Sequence, residues 1–272
     1  MNDIAQFLWF EGKLSALENL CLRSFLANNY DVHLYTYRQV ANVPPGVKVL
    51  PGQDILSEDK LVFNTGADGR RTSYTAFSDL FRLKLIHEKG GWWFDMDMIC
   101  LQYLPPPTSF YVASTWEGVD GECACPCAIW APAGDPLVRE LYQMSSHVIQ
   151  TSQTSLGIPE AGVFPLQDLV RRHNLYRSVA PWWEFCPYPW RFVYRLASRN
   201  SSDYAKDVIR QVKHRTKELL DPQFKAGYLR KGSRTLHFHN EMWKACGLDK
   251  DATYFRLSLI ERLKQRYQAQ RP

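Results

Sequence analysis

Residues 73–101 read SYTAFSDLFRLKLIHEKGGWWFDMDMICL, and the order of residue types there decides the architecture. From Tyr74 to Glu88 the apolar positions Phe77, Leu80, Phe81, Leu83, Leu85 and Ile86 recur at helical spacing, which predicts a largely buried helix. Asp79 and Arg82 stand three apart and share one of its faces. Lys89 suits the negative end of the helix dipole, and Gly90 and Gly91 supply the left-handed stop. The chain then reverses into a short aromatic strand, Trp92 to Phe94, which delivers Asp95 and Asp97 two residues apart at its C-terminal end. At a strand period of two, both carboxylates point the same way. Two such charges raise each other's pKa unless a cation lies beside them. All-oxygen ligands favour a hard ion, manganese or magnesium, which keeps waters and takes phosphate oxygens as further ligands.

Outward from this unit the chain reads as strand, helix, strand. Ile4 to Phe10 is a buried strand, Leu14 to Leu26 a helix with Cys21 inward, Val32 to Tyr37 a second strand and Val47 to Leu50 a third. That order is a βαβ unit with a parallel pair. Asp54 to Arg71 holds few apolar anchors and reads as a mobile flap before the organising helix. Past the three prolines Pro105, Pro106 and Pro107, Phe110 to Thr115 and Ala128 to Ala131 read as strands, and Asp135 to His147 as a helix. The thiols Cys123, Cys125 and Cys127 lie between those strands, one ligand short of a structural zinc site. Pro165 opens a helix that holds Asp168 in its first turn. The aromatics from Trp182 to Phe192 could stack on sugar faces or pack beneath a loop. His237 and His239 of TLHFHNEMW alternate and are expected on opposite faces of a short strand. Thr253 to Gln268 reads as an amphipathic helix that caps the domain.

Ser78, Asp79, Arg82, Gly90, Gly91, Asp95 and Asp97 resemble, in order and spacing, the signature of the DxD glycosyltransferases. These include the α-1,4-galactosyltransferases, the yeast outer-chain mannosyltransferases, the bacterial capsular-polysaccharide sugar transferases and, distantly, the clostridial glucosylating toxins. Trp93 departs from the family's usual tyrosine. The resemblance implies an α/β, GT-A-like nucleotide-sugar-binding fold with a mixed, mainly parallel central sheet flanked by helices. One domain spans 1–272, with residues 1–101 as the donor half and 102–272 as the acceptor half with a C-terminal helical segment.

It further implies a retaining hexose or N-acetylhexosamine transfer from a UDP- or GDP-linked donor to a glycan or glycolipid hydroxyl, in surface polysaccharide or oligosaccharide synthesis. Asp97, Asp95 and His237 would hold Mn2+ or Mg2+. Asp95, Asp97 and Arg82 would carry the chemistry. Phe7, Trp9, Tyr37, Ser78, Asp79, Arg82, Trp93 and Asp95 would bind the donor, with Phe7, Trp9 and Tyr37 flanking the base. A haloacid-dehalogenase-type phosphohydrolase would want its DxD on the first strand. A non-catalytic sugar-binding module would tolerate loss of Asp97 or Arg82.

The net charge of +5 is concentrated. From Arg191 to Arg234 there are 12 Lys and Arg against four acids, a patch suited to a diphosphate, an anionic glycan or a lipid head group, so peripheral membrane contact is an expectation. No nucleic-acid partner is expected. The N-terminus MNDIAQFLWFEGK has neither a basic leader nor a long apolar run, and the seven cysteines fit a reducing compartment. A cytoplasmic enzyme is therefore expected, although eukaryotic members of the resembled families carry a membrane anchor before this domain.

Overall fold

The computed structural model describes residues 3–65, 71–118, 121–152, 156–221 and 223–268. The protein is α/β, with a six-stranded mixed, mainly parallel sheet flanked by helices. Strand β1 (Ile4–Trp9) is followed by α1 (Ala16–Ala27), β2 (Asp31–Thr36) and β3 (Lys48–Pro51), and β1 pairs parallel with β2 and β2 with β3. Ser15 starts α1 with a capping box, its side chain accepting from the Leu17 N–H while Glu18 reaches back to the Ser15 N–H.

The short antiparallel pair β4 (Asn64–Thr65) and β5 (Arg71–Ser73) precedes α2 (Thr75–Lys89). Within the stretch expected as a mobile flap, Asp54 to Arg71, Asn64 is an anchoring point. Its side chain donates to the carbonyls of Leu156 and Gly157 and accepts from the Ala76 N–H. Residues 66–70 of that stretch lie outside the described ones.

Helix α2 ends as the sequence demands. Gly90 has φ +68° and Gly91 φ +91°, and a Cβ on Gly90 would come within 2.6 Å of the Ala133 nitrogen. Gln6 then ties the turn to β1 by donating to the Gly90 carbonyl at 2.9 Å. The chain enters β6 (Gly91–Phe94), parallel to β1, and turns at Asp95 to Asp97 into β7 (Met98–Cys100). Strands β8 (Tyr111–Trp116) and β9 (Glu122–Ala131) close the sheet with antiparallel pairings, giving the order β3-β2-β1-β6-β9-β8. Strand β9 takes in Cys123, Cys125 and Cys127, which the sequence reading left between two strands.

Period-two alternation on β6 splits the core into two layers. Trp92 and Phe94 pack with Phe7, Phe25 and Phe185 on the α1 side; Trp93 packs with Phe77 and Phe81 of α2 on the other. Burying each such ring stabilises by roughly 1.5–3 kcal/mol relative to exposure. On the second layer lie α3 (Pro136–Thr151) and α4 (Val163–Arg172). The one-turn helix α5 (Trp182–Phe185) and a 3-10 segment, Trp190–Leu196, lead to α6 (Ser201–Leu220).

The C-terminal part returns to the first core layer. Strand β10 (Thr235–His237) pairs antiparallel with β7, α7 (Asn240–Ala245) follows, and α8 (Leu259–Gln268) buries Ile260, Leu263 and Tyr267 in the cluster that also holds Phe7. Among the described residues no helix is long and apolar enough to cross a membrane.

Candidate active site

The C-terminal ends of β1 and β6, the start of α2, β9 and the β10–α7 junction surround a cleft of about 1120 Å3. In parallel sheets the strand ends are where ligands bind, because loops there can vary without disturbing the core. Asp95 and Asp97 occupy the β6–β7 turn on its wall.

Each aspartate is fixed by a different partner. Arg82 Nη1 lies 2.9 Å from Asp95 Oδ1, and Nη2 lies 3.2 Å from Asp79 Oδ1. The same guanidinium donates to the Pro126 carbonyl and to Ser78 Oγ and lies 5.0 Å from the Trp93 ring centre. The indole Nε1 of Trp93 donates to Asp95 Oδ1 at 3.0 Å. The tryptophan that replaces the resembled families' tyrosine therefore still supplies a hydrogen bond. Asp97 is held from across the cleft: His237 Nε2 is 3.1 Å from its Oδ1, and the Asn240 N–H donates to its Oδ2 at 2.7 Å.

These contacts set the charges. Burial pushes Asp97 up, but His237 and the Asn240 N–H outweigh it and hold the carboxyl well below the usual range. Burial likewise raises Asp95, against the pull of Arg82 and with a further push from Asp97. His237 is penalised by burial, yet the Asp97 carboxylate drives it well above the ordinary imidazole value. His239 goes the other way, since burial and the adjacent His237 both disfavour its cation. Asp79 is raised to about 7, chiefly by burial.

Asp95, Asp97 and His237 can each offer one atom within 4.8 Å of the others. Two carboxylates and an imidazole form a donor set that suits manganese or magnesium with open positions left for other ligands. Two buried polar atoms of the cleft wall, His239 Nε2 and Asn240 Oδ1, have no protein partner among the described residues. The residues thus fit a divalent ion with a polar ligand beside it.

Of the donor-side residues expected from sequence, Trp9, Ser78, Arg82, Trp93 and Asp95 line the cleft. Phe7 does not. It shares a strand face with Trp9, but two residues deeper, and is fully buried against Phe25 and Phe94. Tyr37 does not either: its ring stacks on Phe10 at 5.1 Å and its hydroxyl donates to the Gly52 and Leu56 carbonyls. Asp79 sits behind Arg82 beneath α4, where a Cβ on Gly162 would come within 2.6 Å of its carboxyl. In this structure it orients the arginine instead of facing the cleft.

His237 and His239 do not face opposite ways. The strand stops at His237, and His239, at φ +50° and ψ +71°, caps α7 in the left-handed region. That twist brings the two rings to 3.9 Å between centres. Cys123 and Cys125 line the cleft, whereas Cys127 packs behind it, its Sγ 3.7 Å from that of Cys186 and the latter 3.8 Å from His237 Nδ1. Asp168 stays on α4 with Arg171 and Arg172.

Sequence reasoning missed Phe10 and Tyr74, stacked at 4.8 Å on the rim, and Glu117, which accepts from Trp190 Nε1 at 2.7 Å. Phe10 and Tyr74 are far apart in the chain and carry no motif. A phosphohydrolase of the first-strand DxD type is disfavoured, because the pair follows the sixth strand and Asp95 is engaged by Arg82.

Residues 16–113, from α1 into β8, match the family model of the glycosyltransferase sugar-binding region containing the DXD motif. The matched stretch is less than half of the chain, and Asp95 and Asp97 lie inside it. The solved structure of PaToxG glycosyltransferase is similar over 98% of this chain and 85% of its own, with 11% identity and a TM-score of 0.47. The apo structure of the bifunctional glycosyltransferase WbbM is similar over 98% of this chain and 52% of its own, with 11% identity and a TM-score of 0.44. No curated protein matches the chain in sequence.

Proposed function

We propose that the protein is a GT-A-like, metal-dependent, retaining glycosyltransferase. It moves a hexose or N-acetylhexosamine from a UDP- or GDP-linked donor to a hydroxyl of a glycan or glycolipid, in surface polysaccharide or oligosaccharide synthesis. The observation that carries this reading is the meeting of Asp95, Asp97 and His237 within 4.8 Å on the wall of a cleft that also holds Arg82. Manganese or magnesium bound there would neutralise the charge that develops on a departing diphosphate.

The chain's own residues do the rest. Asp97, kept ionised by His237 and Asn240, holds the cation; Asp95, aimed by Arg82 and Trp93, completes the pair. Arg82, clamped between Asp79 and Asp95, presents a preorganised positive charge to the sugar or phosphates. Trp9 and Tyr74 offer ring faces for the base or sugar, with Phe10 stacked beneath Tyr74.

The test is a screen of UDP- and GDP-sugars for hydrolysis and transfer with manganese, comparing the protein with Asp97→Ala. Sugar release from one donor, lost with chelator and in the variant, is the expected result. Release that persists at full rate in Asp97→Ala overturns the reading.

A further inference from the structure

Helix α6 is amphipathic in the reverse of the usual sense. None of its 20 residues is buried, and the side that packs on the protein is the polar one. Gln211 donates to the Tyr188 hydroxyl, His214 meets Arg195 at 3.0 Å, Glu218 pairs with Arg230 at 2.7 Å, and Asp207 accepts from Ser198 Oγ. The aliphatic residues point away: Ile209 is 55% exposed, Val212 61%, Leu219 84% and Leu220 82%, with Val208 also exposed.

At about 100° per residue these side chains, with Ala205, form one stripe along the helix. Exposed cations flank it, Lys206, Arg210, Lys213 and Lys217 on one side and Arg215 on the other. All three acids, Asp203, Asp207 and Glu218, are turned partly inward. Thr216 falls on the same stripe, its hydroxyl turned back to the Val212 carbonyl, and an exposed apolar stripe of this kind is unfavourable in water unless something covers it.

We propose that α6 is an interfacial membrane helix, which lays its aliphatic stripe into an anionic lipid surface while the flanking lysines and arginines meet the head groups. The charge pattern selects this occupant. A second copy docking stripe to stripe would set cation flank against cation flank, with the acids on the wrong side to compensate. A nucleic acid would use the cations but leave the aliphatic side chains in water, with no aromatic ring on the stripe to stack a base. An anionic bilayer satisfies both, because affinity grows with apolar area and with basic residues near the surface. The 3-10 segment that leads into α6 begins at Trp190 on the cleft wall, so the chain passes from the cleft to the proposed membrane face within about a dozen residues.

The test is co-sedimentation of the full chain with vesicles, run without metal or nucleotide so that its outcome is separate from the transferase reading. Vesicles of equal parts phosphatidylcholine and phosphatidylglycerol are expected to pellet the protein, less so at high salt, and phosphatidylcholine alone far less. The pair Ile209→Glu and Val212→Glu, both at exposed positions, is expected to lower binding about tenfold or more with an unchanged circular dichroism spectrum. Lys206→Gln, Lys213→Gln and Lys217→Gln together are expected to remove the preference for anionic lipid and the salt dependence. Protein that stays in the supernatant with anionic vesicles, or that binds both vesicle types equally, overturns the proposal. So does a dimer in buffer that the Ile209→Glu, Val212→Glu pair splits, since a second copy would then cover the stripe.

Discussion

Asp97 Oδ1 and His237 Nε2 are 3.1 Å apart because β10 pairs antiparallel with β7, with His237 opposite Met98, which sets the imidazole beside the β6–β7 turn that carries Asp97. The pair is buried, which makes it costly to break and sensitive to what replaces either member.

Asp97→Asn keeps an acceptor for the Asn240 N–H but removes the charge that faces His237. Transfer from a sugar nucleotide is expected to fall by about a hundredfold or more, with the fold retained. Steady-state rates at saturating manganese, alongside a thermal melt, check this.

His237→Ala is expected to weaken manganese binding by roughly tenfold to a hundredfold. His239→Asn should keep it, because asparagine tolerates the left-handed backbone that position requires. Titration with manganese followed by calorimetry distinguishes the two variants.

Trp93→Phe removes the N–H that holds Asp95 and keeps most of the ring against Arg82. Activity is expected to drop by about tenfold to a hundredfold while the melting temperature moves by only a few degrees. An unchanged rate would mean Arg82 alone orients Asp95.

The buried Asp79 carboxyl, raised from 3.8 to about 7, makes a signed prediction. Between those values the folded state binds the proton and the unfolded state does not. This group's contribution to stability is therefore complete below the lower pKa and is lost as pH rises through the folded one. Relative to Asp79→Asn, which cannot titrate, the protein should gain on the order of a few kcal/mol between pH 8 and pH 5. Denaturant unfolding of both at the two pH values measures it.

Gly90→Ala meets two obstacles, a left-handed φ and a backbone nitrogen 2.6 Å from the new carbon. A loss of at least about 2 kcal/mol in unfolding free energy is expected, against about 1 kcal/mol for Gly134→Ala, whose left-handed φ comes without a clash.

The α2–β6 unit with its carboxylates was legible because everything that defines it is local: helical spacing, two glycines, then alternation. Arg82 and Asp95 fall together for the same reason. Phe7 and Tyr37 misled because an aromatic on a strand shows its face but not its depth, and only Trp9 reaches the strand end. His239 misled because the strand ends at His237, and a single left-handed residue turns the His239 ring back beside that of His237. Phe10, Tyr74 and Glu117 reach the cleft through sheet order and loop packing, which no local pattern records, whereas Trp190 belongs to the aromatic run Trp182 to Phe192 that the sequence does mark.

The most direct measurement of the central claim is calorimetric titration of UDP and GDP into the protein, with manganese and with chelator. Binding of one nucleotide that requires manganese and disappears in Asp97→Ala is the expected result. Equal binding in chelator, or undiminished binding in the variant, would contradict a diphosphate held through a cation at Asp95, Asp97 and His237.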